Sequence, residues 1–236
     1  MHKALRSFQL EVLNIFKGVK TGFALAGGTA LEIYYLQHRF SSDLDFFSAT
    51  YSKNEIEAIV LVLKSISGVK LILENEIRLN RAATVVFYTL SRKGLERPLK
   101  IDFVEDNLID HPKIVKFSGV PVYSVEDIYT QKIFAVSGTS IRYDDTGRDF
   151  SEGRKEARDA FDIYMLSKKM MPLHKFIQKM PKYAQRGLIH WYHTFSRHDL
   201  KIGLIDLDIY DQSFNSQEML IYLENEIKEF IRTIAI

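Results

Sequence analysis

Two aspartates separated by one leucine, Asp43 and Asp45 in "SSDLDFF", stand at the head of an apolar run. On a strand, residues two apart face the same side, so both carboxylates would share one site while Leu44 and Phe46 enter the core. Holding two such charges about 4 Å apart costs roughly 4 kcal/mol at an effective dielectric near 20, unless a cation or a shifted pKa relieves it. Magnesium relieves it well, because this hard ion takes one or two protein carboxylates and lets substrate phosphates complete its octahedron. Upstream, Gly27, Gly28 and Thr29 lie between a short apolar stretch and a helical pattern. Bare backbone amides at such a turn favour an anion such as a triphosphate. Further along, "LKIDFVED" puts Asp102 and Lys100 on one side of a strand and Ile101 and Phe103 on the other. An aspartate in the middle of an apolar strand is rare without a partner. Asp43, Asp45 and Asp102 together can hold two magnesium ions, one on a triphosphate and one activating an attacking hydroxyl for in-line displacement. That is the chemistry of nucleotidyl transfer.

The elements that must position these groups can be read from periodicity. Residues 3 to 17 form an amphipathic pattern, Phe23 to Ala26 a short strand, and Thr29 to Gln37 a helix. Leu44, Phe46 and Phe47 mark a strand, and Ser52 with Glu55 makes a capping box for a helix to about Ser67. Val69 to Leu73, Ala82 to Leu90 and Leu99 to Val104 read as further strands. After Val122 the pattern changes: a helix runs from Ser124 to about Val136, a polar loop from Ser137 to Gly153, and the remainder is almost all helical. An α/β domain over residues 1–122 and a helical domain over 123–236 are therefore expected.

Composition narrows the class. The chain has 236 residues, 46% hydrophobic and 26% charged, enough to bury a sizeable core as one large or two small domains. With 32 basic against 30 acidic residues, net charge does not point to nucleic acid, and such a partner would need a local basic patch. Absent cysteines remove zinc-thiolate sites, disulfides and cysteine nucleophiles, and fit a reducing compartment. The N-terminus has neither the pattern of a signal peptide nor that of a spanning segment, so a cytoplasmic location without membrane contact is expected.

Gly28-Thr29, thirteen residues, then Asp43-Leu44-Asp45 resembles the first motif of the DNA polymerase β-type nucleotidyltransferases, with threonine where many members carry serine. GGTAL, HRFSSDLDFF, KIDF, SVEDIYTQKIFA and RKEARDAFDIYML together resemble the AbiEii/AbiGii-type toxin family, which includes the MenT-like toxins, over roughly residues 20 to 170. The resemblance implies an α+β fold, a polymerase-β-like domain with a mixed sheet flanked by helices, followed by a C-terminal helical domain. It implies that Gly27, Gly28 and Thr29 hold the nucleotide phosphates, that Asp43 and Asp45 bind both metals, and that Asp102 binds the catalytic one. Lys132 matches a helix lysine that contacts the triphosphate. Arg158, Asp159 and Asp162 match an "R-D-x-x-D" helix motif, with Lys155 one turn earlier and within reach of the same site. Arg39 matches an arginine able to pair with a carboxylate, with one extra residue before Asp43. Members transfer nucleotides from triphosphates with magnesium, some to the 3' end of tRNA, as the toxin beside an antitoxin protein.

The acceptor stays open at this point. A small molecule of the aminoglycoside type or a protein hydroxyl would use the same carboxylates, and a nucleotide-binding regulator without turnover would be expected to lack one of them. In "SGTSIRYDDTGRDFSEGRKEAR", Arg142, Arg148, Arg154, Lys155 and Arg158 with Tyr143 and Phe150 could grip an RNA end, against the acidic Asp144, Asp145 and Asp149. His190, His193 and His198 lack the company of standard metal ligands and read as polar tips of a packed helix. The second Asp-x-Asp, in "LIDLDIYD" from 204 to 211, follows no glycine turn and reads as a loop.

Overall fold

In a computed structural model of the chain, residues 2–78, 83–139 and 151–234 are described in full, and 142–143 and 149–150 by their backbone. The chain divides into two compact units, one of residues 1–35 and 41–127, the other of residues 36–40 and 128–236. Among the described residues no helix is long and apolar enough to cross a membrane.

The first unit is built on a seven-stranded mixed sheet. Its strands are β1 (Ala24–Ala26), β2 (Leu44–Ser48), β3 (Val69–Arg78), β4 (Thr84–Arg92), β5 (Leu99–Glu105), β6 (Ile114–Phe117) and β7 (Val120–Tyr123), in the order β3-β4-β5-β2-β1-β7-β6. β2 runs parallel to β5 and antiparallel to β1, and β1 runs parallel to β7. Helix α1 (Lys3–Phe16) turns Leu5, Phe8, Val12, Leu13 and Phe16 inward at helical spacing. Phe16 stacks on Phe46 with ring centroids 3.9 Å apart, and Phe23 meets Phe103 edge-on at 5.3 Å. Burial of each such side chain contributes about 1.5–3 kcal/mol, so the strands that carry the aspartates are anchored from behind by these rings. Helix α3 (Lys53–Lys64) starts at Ser52, whose side chain accepts from the Glu55 amide as the capping box requires.

The second unit contains most of α4 (Val125–Ser137), the two-stranded β8 (Arg142–Tyr143) and β9 (Asp149–Phe150), and helices α5 (Ala157–Lys169), α6 (Leu173–Phe176), α7 (Lys182–Thr194), α8 (Arg197–Ile205) and α9 (Ser216–Ile234). Helix α9 buries Met219, Leu220, Leu223, Ile227 and Phe230 along one stripe. Close packing needs Gly187 in α7, where a Cβ would lie 2.2 Å from the Ser137 carbonyl oxygen.

Four details depart from the pattern reading. The Thr29–Gln37 helix is a four-residue α2 (Gly27–Ala30) that widens into a π-helical segment over Leu31–Leu36. β3 extends to Arg78 through "ENE", which an edge strand tolerates because its outer groups face water. The β6–β7 hairpin is not marked by alternation, and β8 and β9 fall inside the segment expected to be loop.

Candidate active site

The β2–β5 ladder sets Asp45 opposite Asp102 and Phe46 opposite Phe103. Residues directly opposed on neighbouring strands share a face, so the two carboxylates emerge side by side while the two rings are fully buried on the other face. On the other side of β2, Ala26 is the partner of Asp45 and the last residue of β1. Gly27 follows with φ +67°, and a Cβ on it would lie 2.5 Å from Asp45 Oδ2. Glycine is required twice over here, by the left-handed backbone and by the approach of the carboxylate.

Asp43 lies outside the strand, which begins at Leu44. Its position is fixed by side chains from the preceding elements. The hydroxyl of fully buried Thr29 donates to the Asp43 carbonyl, and Ser42 Oγ donates to Asp43 Oδ1 at 3.1 Å. One turn beyond Thr29, buried Glu32 accepts from the Ser41 amide at 2.7 Å and pairs with Arg6, while Gln9 Nε2 donates to the Ser41 carbonyl at 3.1 Å. Thr29 therefore acts through its side chain on the loop that carries Asp43. Glu32 goes unmarked in the sequence because a glutamate on a helical pattern reads as surface.

The electrostatics record the crowding. Burial, then the charges of Asp45 and Asp43, push the Asp102 carboxyl up to about 7, with Lys100 opposing. Among the described residues no group of three or more His, Asp or Glu side chains closes into a metal cage by itself. The arrangement is two adjacent carboxylates with a third in electrostatic range, an oxygen-only donor set. That set fits magnesium, which needs one or two protein carboxylates and takes its other ligands from water and phosphate.

The second unit holds a separate buried ion cluster. Lys132 Nζ on α4 lies 2.7 Å from Asp159 and 2.8 Å from Asp162, both on α5 and both fully buried. Arg39 grips Asp162 with two parallel hydrogen bonds, Nε to Oδ1 at 2.7 Å and Nη2 to Oδ2 at 2.8 Å, and His38 Nε2 meets Oδ1 at 2.8 Å. Arg154 covers Asp159 from the surface. Burial alone would raise Asp162, but Arg39, Lys132 and His38 hold it well below the usual carboxylate range; Asp159 is lowered against its burial by Lys132 and Arg154. The stretch carrying His38 and Arg39 is itself pinned by main-chain bonds to Asp208 and Tyr210 in "LIDLDIYD", which is the role that second Asp-x-Asp segment plays.

Lys155 lies at the surface on Glu152 at 3.0 Å, and Arg158 is exposed on α5. Arg148, Asp144 and Asp145 of the basic loop fall outside the described residues. Of the three histidines weighed as ligands, His190 and His193 lie on α7 and His198 on α8. His38 is the partner that sequence reasoning passed over, although it stands next to Arg39.

The model of a family described as nucleotidyl transferase AbiEii toxin, type IV toxin–antitoxin system, matches residues 12–233. Two crystal structures from Helicobacter pylori share the fold. One, of a candidate nucleotidyltransferase, is 18% identical with a TM-score of 0.61 and covers 100% of this chain and 97% of that one. The other, JHP933, is 18% identical with a TM-score of 0.62 and covers 100% of this chain and 94% of that one. No curated protein matches the sequence.

Proposed function

The chain belongs to the AbiEii nucleotidyl transferase toxin family of type IV toxin–antitoxin systems, and on that premise we propose that Asp43, Asp45 and Asp102 are its catalytic, magnesium-binding residues. The reaction is transfer of a nucleotide from a nucleoside triphosphate to an acceptor hydroxyl, with RNA, at a tRNA 3' end, as the acceptor. The observation that carries this reading is the pairing of Asp45 with Asp102 beside the Gly27 turn.

Two magnesium ions held by this set would neutralise triphosphate charge and that of the leaving pyrophosphate. Asp45 and Asp102 present their oxygens on one face of the sheet, and Thr29 and Glu32 hold the loop of Asp43 against them. The Gly27 and Gly28 amides bind phosphate oxygens at the start of the helical run. The acceptor oxygen bonds to the α-phosphorus as the bond to pyrophosphate breaks. Its proton passes to an Asp102 carboxylate oxygen. In the helical unit, Asp159 and Asp162 are positioning residues that orient Lys132 and Arg39. A type IV system implies an antitoxin as partner.

The test is incubation with α-labelled triphosphates, total RNA and magnesium. The native chain should label RNA, and folded Asp45→Asn should not. Label appearing only on an aminoglycoside or on protein would move the acceptor to that class. Transfer retained by Asp45→Asn would refute the assignment.

A further inference from the structure

Along α5, Phe161, Tyr164 and Lys168 follow at spacings of three and four, which lines them up on one side of the helix. Phe214, on the chain leading into α9, stands edge-on to Phe161 with centroids 5.0 Å apart and to Tyr164 at 6.3 Å. Between them opens a cavity of about 500 Å³, formed entirely by the unit of residues 36–40 and 128–236. That volume lies within the range of about 300–1,000 Å³ found for small-ligand sites.

Two features of the cavity wall are costly for packing and unused by the chemistry above. His38 stacks on Phe161 with the rings 8° from parallel and donates from Nε2 to Asp162, yet its buried Nδ1 has no hydrogen-bond partner among the described residues. Next to it, Gln37 sits at φ +49°, in the left-handed region that non-glycine residues avoid. Buried unpaired nitrogens and strained backbone cluster where a ligand is handled. The rim is charged on both sides: exposed Lys168 and Lys169 come from α5, exposed Asp211 from the approach to α9 and exposed Glu218 from its first turn.

Each part selects a chemistry. The aromatic walls suit a flat ring. Carboxylates accept from the amino and ring N–H groups on the edge of a base, and lysine ammonium groups, each with three donors, meet a phosphate. The rim charges face water, with Lys168 also on the Tyr164 hydroxyl at 3.3 Å, Lys169 on the Leu36 carbonyl at 3.1 Å and Asp211 accepting from Ser213, so a ligand phosphate would share the lysines with these bonds, while a sugar alone would leave the aromatic walls unused. We infer that this cavity binds one unpaired nucleotide, its base against Phe161, Tyr164 and Phe214 and its phosphate at Lys168 and Lys169. The nucleotide is either free or part of a single strand; in the second case the inference rests on the RNA-acceptor reading above.

The test reads binding alone, on full-length Asp45→Asn in EDTA, by calorimetry with the four 5'-monophosphates and a single-stranded RNA tetranucleotide. At least one monophosphate should bind saturably, Phe214→Ala should weaken it tenfold or more, and Phe214→Tyr should restore it. If Phe214→Ala does not fold, by circular dichroism, the double variant Lys168→Ala/Lys169→Ala decides with the same tenfold criterion. A tetranucleotide bound tenfold tighter than the monophosphate assigns the site to a strand, and equal affinity assigns it to a free nucleotide. No saturable binding of any probe, or binding unchanged in the deciding variant, overturns the inference. Transfer is not measured, so this result and the magnesium-dependent reaction fail independently.

Discussion

Replacing Asp102 by asparagine should stabilise the protein while abolishing transfer. In the folded chain the Asp102 carboxyl is raised from 3.8 to about 7, so the folded state holds its proton more tightly than the unfolded state. Stability then falls as pH rises between those two values, with the penalty absent below the lower one and complete above the upper. At about 1.4 kcal/mol per pKa unit the ceiling is roughly 4 kcal/mol, and because the group is only half-buried, solvent screening brings this to about 1–2 kcal/mol. An asparagine side chain has the same shape without the charge and escapes the penalty. In EDTA at about pH 8, Asp102→Asn should melt roughly 2–8 °C higher than the native chain, with a clearly smaller gain at about pH 5. Magnesium should raise the melting temperature of the native chain more than that of the variant. Thermal unfolding followed by circular dichroism reads all of these. A variant that melts lower at pH 8, or a gain that does not grow with pH, would show that Asp102 is not crowded by Asp45 and Asp43.

Gly27→Ala should keep the fold but displace Asp45, because its Cβ has 2.5 Å to the carboxylate oxygen; transfer falls at least tenfold for a stability loss of about 1–3 kcal/mol, checked by activity and denaturant titration. Thr29→Val should lose about 1 kcal/mol with its bond to the Asp43 carbonyl and lower the transfer rate, with Thr29→Ser restoring both. Asp162→Ala leaves Arg39 and Lys132 buried without their shared carboxylate and should cost about 3–5 kcal/mol in urea. Because the Asp162 pKa is depressed, its contribution is present above the ordinary carboxylate value and is lost as pH falls through the folded one. The stability gap between native and Asp162→Asn should therefore narrow on acidification below about pH 4, as equilibrium unfolding will show.

The sheet that carries the aspartates was legible because β2 and β5 alternate apolar and acidic residues with the period of a strand. Leu44, Phe46, Ile101 and Phe103 are all fully buried, and Asp45 and Asp102 face the other way. Alternation also placed Asp43 on that strand, where the pattern misled. Beyond Leu44 the ladder has no further partner, since β1 ends at Ala26 opposite Asp45, and side chains take over the work of pairing. Those side-chain contacts are invisible to periodicity: Glu32 reaches Ser41 nine residues on, and Arg39 reaches Asp162 across 123. The spacing of Asp159 and Asp162 did place both on one face of α5, but nothing local says that the face is buried and its charges met by Lys132 and Arg39. The cavity beside Phe214 escaped for the same reason, its walls coming from three separate stretches of chain.

Crystals grown with manganese in place of magnesium and a non-hydrolysable triphosphate give the most direct measurement. Anomalous scattering should place a metal within ligating distance of both Asp45 and Asp102, with triphosphate oxygens completing its shell near Gly27. A triphosphate and metal bound elsewhere, with the oxygens of Asp45 and Asp102 turned to protein cations, would contradict the assignment of the site.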